Sequence, residues 1–238
     1  MLIFISELVG TALLILLGCG VVANVVLEKS AMNGGGTVQI TFGWGLAVLL
    51  PAFIFGKSSG AHLNPAITLA FAADGQTPWG SVPYYLSGQL LGAFIGGVLV
   101  YILFKGHLDA EENKDSKLGV FATRPSVPNT ALNFLSELVG TFVLVFAIMG
   151  IGNVDGLGGG IDKFFVFAII VSIGMSLGGL TGYAINPARD LGPRLAHALM
   201  PIKGKRDSNW KYAWIPIAAP IAGAYLAVAL YRWIPWNS

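Results

Sequence analysis

Two segments decide the fold of this chain: Ser59-Gly60-Ala61-His62-Leu63-Asn64-Pro65-Ala66 and Thr181-Gly182-Tyr183-Ala184-Ile185-Asn186-Pro187-Ala188-Arg189. Each follows an apolar stretch that carries the same six residues, Ser-Glu-Leu-Val-Gly-Thr, at 6–11 and at 136–141. The two Asn-Pro-Ala triplets lie 122 residues apart and the six-residue blocks lie 130 apart, so the order of the motifs is preserved. The sequence is therefore an internal duplication that covers almost the whole chain.

The composition indicates a protein that lies in lipid. Hydrophobic residues make up 55% of the chain and charged residues 11%, far below the roughly 25% charged residues of soluble domains. Six apolar runs are long enough for spanning helices, which take about 20 residues each. They cover roughly 2–27, 38–56, 81–104, 132–151, 163–180 and 212–234. The net charge of +2 is small and dispersed, which argues against a nucleic-acid partner.

The number of spans in each half determines how the halves are oriented. Three spans per half mean that the second half enters the membrane from the opposite side. The segments 57–80 and 181–211 are too apolar for ordinary loops and too short to cross, so they predict re-entrant half-helices. We expect one domain over 1–238, with halves 1–104 and 132–238 joined by the loop 105–131. Such symmetry is typical of a membrane pore or transporter.

Each Asn-Pro-Ala triplet predicts a helix start, because Asn caps helices, Pro fits the first helical position and Ala favours the helix. In the inverted arrangement the two starts meet near the bilayer midplane and turn unpaired N–H groups and positive dipole ends to the cavity. Such a centre would reorient water and repel protons and cations. A single triplet would be only a loop cap. The residues of this predicted constriction are Asn64, Pro65, Ala66, Asn186, Pro187 and Ala188.

The acidic residues Glu7 and Glu137 lie within predicted spans, where an unsatisfied carboxylate is costly. A carboxylate can accept several hydrogen bonds at once. We therefore expect each to accept bonds from the backbone of the adjacent re-entrant segment. A proton relay is the alternative role for these two acids.

Together and in this order, the motifs resemble the major intrinsic protein family, which comprises aquaporins and glycerol facilitators. The resemblance implies an all-α membrane protein with six tilted spanning helices and two half-helices in an aquaporin-like right-handed bundle. It also implies a homotetramer with one pore per subunit, in the plasma membrane, with both termini cytoplasmic. Charge alone favours the opposite orientation. With a cytoplasmic amino terminus, the basic residues on the inner side would be only Lys57, Lys163 and Arg232.

The solute is also indicated by resemblance. The residues that resemble the glycerol branch are Asp190, Arg194, Pro216 and Ile217. By the same resemblance, the narrowest ring consists of Trp44, Gly174, Tyr183 and Arg189. Two aromatic walls suit the alkyl face of a polyol and an arginine suits its hydroxyls, while Gly174 leaves room where water channels typically have histidine. The glycerol branch usually has Phe in place of Tyr183.

Three of these residues also have simpler interpretations. Arg189 could merely neutralise Asp190, and Trp44 could be an aromatic residue of the membrane interface. His62 could line the vestibule or pack within its loop.

The expected function is passive passage of glycerol, water and other small neutral solutes, with no enzymatic activity, cofactor or metal. The alternatives are a water-selective channel and, in a different class, a proton-coupled secondary transporter. No phosphate-binding loop is present. The run Gly56-Lys57-Ser58-Ser59-Gly60 matches a serine-hydrolase pattern but lacks the strand that this chemistry needs.

Overall fold

The computed structural model describes residues 1–236, and this part of the chain is helical, without a β-strand. The α-helices are α1 (Leu2–Val26), α2 (Gly36–Ser59), α3 (Pro65–Ala73), α4 (Val82–Ala110), α5 (Lys114–Phe121), α6 (Thr130–Ile151), α7 (Ile161–Thr181), α8 (Pro187–Leu199) and α9 (Ile215–Trp233). Six of these, α1, α2, α4, α6, α7 and α9, are long and apolar enough to cross a membrane. The predicted spans are confirmed. Positions 237 and 238 of the predicted domain lie outside the described residues.

Each half contains an equivalent pair of closely packed helices. The most extensive packing joins α1 to α4 and α6 to α9. A Cβ atom added to Gly92 of α4 would lie 2.1 Å from the carbonyl oxygen of Leu8, and one added to Gly223 of α9 would lie 2.1 Å from that of Leu138. Small residues allow helix backbones to approach this closely. Glycine is therefore required at the equivalent position of both halves.

Two short helices, α3 and α8, follow the re-entrant segments. α3 has nine residues and α8 has 13, so at about 1.5 Å per residue neither can cross a hydrocarbon core of about 30 Å. Each begins at the proline of an Asn-Pro-Ala triplet, and their N-terminal ends contact each other. The predicted half-helices are confirmed, and with three spans on each side of the duplication the halves run in opposite directions.

The connection between the halves is more regular than the sequence indicated. α4 continues to Ala110, and α5 lies within the segment 105–131 that we expected to be a loop. The side-chain oxygen of Asn113 caps α5 by accepting hydrogen bonds from two backbone N–H groups of its first turn, at 2.9 and 3.2 Å. α5 opens with the polar run 114–117, so its composition resembles that of a loop. Its buried residues are Lys117 and the apolar residues Leu118, Val120 and Phe121.

Candidate functional site

The tips of the two half-helices are joined by a reciprocal pair of hydrogen bonds. Asn64 accepts a bond from the backbone N–H of Ala66 (2.9 Å) and donates from Nδ2 to the carbonyl of Ile185 (2.9 Å). Asn186 caps α8 in the same way and donates from Nδ2 to the carbonyl of Leu63 (2.8 Å). Since an amide nitrogen carries two hydrogens, each asparagine retains a second N–H beyond this bond.

The segment before each half-helix has an unusual backbone. φ is positive at Gly60, Ala61 and Leu63 before α3, and at Gly182, Tyr183 and Ile185 before α8. For a residue with a side chain this conformation costs about 1–3 kcal/mol and persists only where neighbouring structure imposes it. Both segments therefore need strong external support.

Glu7 supplies that support for the first segment. Its carboxylate accepts hydrogen bonds from the backbone N–H groups of His62 (3.0 Å) and Leu63 (2.7 Å), and from the side chains of Ser59 (2.6 Å) and Gln89 (2.7 Å). A trans peptide places its carbonyl opposite its N–H. The carbonyls preceding these two N–H groups therefore point away from Glu7, on the side where this segment lines a cavity.

Glu137 has the same role in the second segment. It accepts hydrogen bonds from the backbone N–H groups of Ala184 (3.0 Å) and Ile185 (2.8 Å), and from the Thr181 hydroxyl (2.7 Å). Both glutamates are fully buried, and neither lines the cavity. Their carboxylates are thus directed at the backbone and not at the route that a solute would take.

A cavity of about 140 Å³ lies between the half-helices and is lined by residues of both re-entrant segments. Trp44, Tyr183 and Arg189 line it, as do His62 and Lys163. α2 ends at Ser59, where the first re-entrant segment begins. Trp44 lies fifteen residues earlier, so it is about 22 Å along the helix from that end. Among the described residues that line the cavity, only Arg189 and Lys163 carry a full charge at neutral pH.

Arg189 and Trp44 lie together in one wall of this cavity. The guanidinium carbon is 3.9 Å from the centroid of the indole ring, a cation–π contact. No side-chain hydrogen bond or ion pair of Arg189 is found among residues 1–236. Asp190, its neighbour in sequence, pairs with Arg194. The interpretation of Arg189 as a mere neutraliser of Asp190 is therefore wrong. Trp44 is only 4% exposed, so it does not serve as an aromatic residue of the membrane interface.

Gly174 lies behind the cavity wall and not in it. A Cβ atom added there would lie 2.2 Å from the Thr41 methyl carbon and 2.9 Å from Cζ of Tyr183. The space that Gly174 leaves is therefore occupied by these two side chains. The Tyr183 hydroxyl is buried and has no hydrogen-bond partner in the described part of the chain, so it is directed into this packed region.

His62 both lines the cavity and packs within its loop, so the two interpretations of this residue are compatible. Its Nδ1 lies 3.1 Å from the Thr68 hydroxyl. Its ring stacks on Tyr85 with centroids 4.4 Å apart, and Tyr85 in turn donates to the Ser59 carbonyl (2.5 Å). The imidazole is thereby fixed in one orientation beside the cavity.

Asp190 and Arg194 form a buried ion pair that does not line the cavity. Arg194 donates to Asp190 from Nε (2.7 Å) and Nη2 (2.9 Å), and Asp190 accepts from the backbone N–H (2.9 Å) and hydroxyl (2.5 Å) of Thr123. Arg194 also donates to the carbonyls of Thr123 (2.8 Å) and Ser208 (2.6 Å). This fully bonded network ties α8 to the connection between the halves, outside the cavity.

The remaining glycerol-branch residues, Pro216 and Ile217, lie in the first turn of α9. Proline fits a first turn because its missing N–H is not needed there. Neither residue lines the cavity, so any relation to solute choice is indirect.

Several partners of the site were not identified from the sequence. Gln89 and Thr123 bind the buried acids, and Lys163 lines the cavity. Gln89 could have been identified, because a polar amide within a predicted span needs a hydrogen-bond partner. Thr123 and Lys163 had no such signal, because their roles depend on which loops the fold brings together.

Six spanning helices and two half-helices that meet beside a shared cavity define a channel-like integral membrane protein. The family model described as "Major intrinsic protein" matches residues 2–231. This chain belongs to that family, and it is a multi-pass membrane protein.

Relatives with assigned names match nearly the whole chain. A "Probable glycerol uptake facilitator protein" of Thermotoga maritima is 51% identical, with 98% of this chain and all of the relative covered. A "Glycerol uptake facilitator protein" of Bacillus subtilis is 50% identical over 96% of this chain and 83% of the relative. Among solved structures, the aquaglyceroporin from Plasmodium falciparum superposes with a TM-score of 0.83 at 33% identity, covering 97% of this chain and 94% of the other.

Proposed function

We propose that this protein is a passive channel for glycerol, other small neutral solutes and water, and not an enzyme. It acts as one channel domain built from the halves 1–104 and 132–238. The observation that carries the proposal is a cavity lined by Trp44, Tyr183 and Arg189, whose guanidinium has no ion-pair partner among residues 1–236 and stacks on the Trp44 ring. The names of the relatives support glycerol as the solute.

The wall chemistry matches a polyol. Glycerol has an alkyl edge and a row of hydroxyls, and the two aromatic rings offer an apolar surface to the carbons. Arg189 presents fixed N–H donors, which accommodate the hydroxyl oxygens without competition from protein acceptors in residues 1–236. Between the half-helices, the second N–H of Asn64 and of Asn186 provides the next pair of donors along the route.

The same groups oppose the passage of cations. Arg189 carries a full positive charge within the cavity wall, and the N-terminal ends of α3 and α8 add partial positive charge where they meet. Electrostatic barriers of this kind, with a chain of oriented hydrogen bonds, are how a pore conducts neutral solutes and excludes protons. Because Glu7 and Glu137 are directed away from the cavity, proton coupling through these acids lacks structural support.

Light scattering from proteoliposomes tests this function. Under an inward glycerol gradient, vesicles that contain the protein should swell much faster than empty vesicles, with weak temperature dependence and no effect of a pH gradient. Glycerol swelling no faster than in empty vesicles, with rapid water flow, would identify a water-selective channel. Accumulation of glycerol above its external concentration under a pH gradient would identify a proton-coupled transporter. Either result would refute the proposal.

We also propose a homotetramer with one pore per subunit in the plasma membrane. α7 is the least buried of the spanning helices and exposes the small residues Ser172, Ser176 and Gly179. Such residues favour contact with another helix over contact with lipid. Mass measurement of the purified protein in nanodiscs should give four subunits, and a monomer mass would contradict the assembly.

For orientation, we propose that both termini are cytoplasmic. Several basic residues of the opposite side serve the fold. Lys205 donates to three carbonyls at the end of α8, at 2.6–2.7 Å, and Arg206 pairs with Asp115. The hydrogen bond from Arg206 is the main reason why the pKa of Asp115 lies below its usual value. A phosphatase fused to the carboxyl terminus should be inactive and a fluorescent protein fused there should fluoresce.

A further inference from the structure

The indole of Trp44 lies directly over Gly18 of α1. A Cβ atom built on Gly18 would lie 2.3 Å from Cε3, 2.2 Å from Cζ3 and 2.5 Å from Cη2 of the ring. Three consecutive ring atoms at nearly equal distances place the added atom over the face of the indole, since atoms beyond the ring edge would differ more in distance. An ordinary contact is 3.4–4 Å, so the ring would have to move by about 1 Å or more.

This glycine differs from those that bring helix backbones together. At Gly92 and Gly223 the nearest atoms to an added Cβ belong to a backbone, whereas at Gly18 all three belong to the Trp44 side chain. Alanine is also the better helix former, so the position within α1 gives no reason for glycine. What Gly18 provides is space for the indole.

The space matters because the indole is part of the cavity wall. Trp44 is almost fully buried and is held against the Arg189 guanidinium at 3.9 Å. Gly18 belongs to α1, so a methyl group there would displace the ring away from that helix. The free volume next to the ring is the cavity that Trp44 lines, and the ring would therefore move toward the cavity.

We propose that Gly18 is a positioning residue that determines how far the Trp44 indole projects into the cavity beside Arg189, and hence the preference for a polyol over water. The proposal rests on the proposed channel function. In this proposal Gly18 does not touch the solute and acts only by leaving space for the indole of Trp44.

The test compares Gly18→Ala with a matched control, Gly43→Ala. Gly43 lies beside Trp44 on α2, and its added Cβ would meet the Val21 side chain of α1 at 2.7 Å. The control therefore strains the same pair of helices without contact to the indole. For Gly18→Ala we expect glycerol permeability to fall about tenfold, which requires only about 1.4 kcal/mol of added barrier, while water permeability falls less. The control should keep the wild-type ratio of glycerol to water.

A double variant separates positioning from folding. Trp44→Phe removes the ring atoms that the new methyl group would strike, so Gly18→Ala should have little further effect on the ratio in that background. If Gly18→Ala alone fails to fold, folding of Gly18→Ala/Trp44→Phe supports the inference. Failure of both to fold shows that the α1 backbone needs the glycine and overturns it.

The outcomes also distinguish the two proposals. A wild-type protein that does not conduct glycerol refutes the channel function itself. A wild-type protein that conducts glycerol, with Gly18→Ala and Gly43→Ala giving the same ratio, refutes only the role of Gly18.

Discussion

The two re-entrant segments hold the same strained backbone with different numbers of partners. Glu7 accepts four hydrogen bonds, of which one comes from Gln89. Glu137 accepts three, and the position that corresponds to Gln89 in α9 is Pro220. The carboxylate is common to both halves because both must bind two backbone N–H groups, whereas the amide is an addition to the first half.

Beyond their tips, the half-helices differ in charge. α3 carries no charged residue, and Thr68 and Ala72 stand where α8 has Asp190 and Arg194. α3 is tied instead at its far end, where Asp74 accepts bonds from Arg232 at 2.5 and 2.7 Å. That contact lowers the pKa of Asp74, but it is exposed on the arginine side and exposed pairs contribute little to stability.

The two half-helices contribute different side chains to the cavity at one equivalent position. Ile67 follows the first Asn-Pro-Ala triplet and Arg189 follows the second, and both line the cavity. The duplication thus supplies a symmetric scaffold, and this position places a charge in the cavity wall from α8, whereas α3 contributes none.

The largest expected effect comes from removing one carboxylate oxygen. Each oxygen of Glu7 accepts two bonds, so a glutamine amide at this position must set its NH2 group against two donors. At Glu137, one oxygen accepts only the bond from Ile185. We expect Glu7→Gln to lower the free energy of unfolding by about 2–6 kcal/mol and Glu137→Gln by about 1–3 kcal/mol, at about 1–3 kcal/mol per orphaned donor.

Thermal and chemical unfolding in detergent measures this order. Gln89→Met is the matched control, because it removes one donor to Glu7 and leaves the backbone bonds in place. Equal losses for the two Glu→Gln variants would mean that the extra partners of Glu7 do not bear on stability.

The next effect concerns the buried ion pair that only α8 carries. Asp190→Asn leaves Arg194 as an uncompensated buried charge, so we expect a loss of about 3–5 kcal/mol. Replacing both partners, Asp190→Thr as in the first half and Arg194→Met to keep volume, should cost less than this single change. Unfolding of the three proteins in parallel checks the order. A double variant less stable than Asp190→Asn would show that the pair contributes more than the burial of apolar residues in its place.

Local signals in the sequence were sufficient for the architecture. Run length predicts the spans, and the Asn-Pro-Ala triplets predict where α3 and α8 begin, because capping depends on neighbours within three residues. The buried glutamates likewise predict acceptors, since no other role satisfies a carboxylate at that depth as simply.

Contacts between distant segments were beyond the sequence. Thr123 meets Asp190 across 67 residues, and Gly174 is covered by Thr41 and Tyr183, so its role as open space could not be judged from residue size. α5 was missed because its polar first turn is stabilised by an asparagine cap and by burial that only the folded chain provides.

A third variant tests this difference between the half-helices directly. Arg189→Ala removes both bulk and charge, whereas Arg189→Met removes the charge and keeps much of the bulk. We expect both to raise the permeability to small organic cations severalfold, and only Arg189→Ala to admit polyols larger than glycerol. Vesicle swelling with a series of polyols, together with cation flux, measures the two effects. Unchanged selectivity in both variants would show that Arg189 does not control which solutes pass.

The smallest effect is expected at the hydroxyl of Tyr183. Because this hydroxyl is buried against Gly174 without a partner in the described chain, Tyr183→Phe removes an unsatisfied polar group and should leave stability unchanged or slightly higher. The glycerol-to-water ratio should change by less than about twofold, since a change of that size corresponds to only about 0.4 kcal/mol in barrier height. Gly174→Ala is the contrasting variant, because its methyl group would strike Thr41 and push the Tyr183 ring toward the cavity. A large change in the ratio for Tyr183→Phe would place the hydroxyl in the solute path and would make this ring, like Arg189, a polar element of the cavity wall.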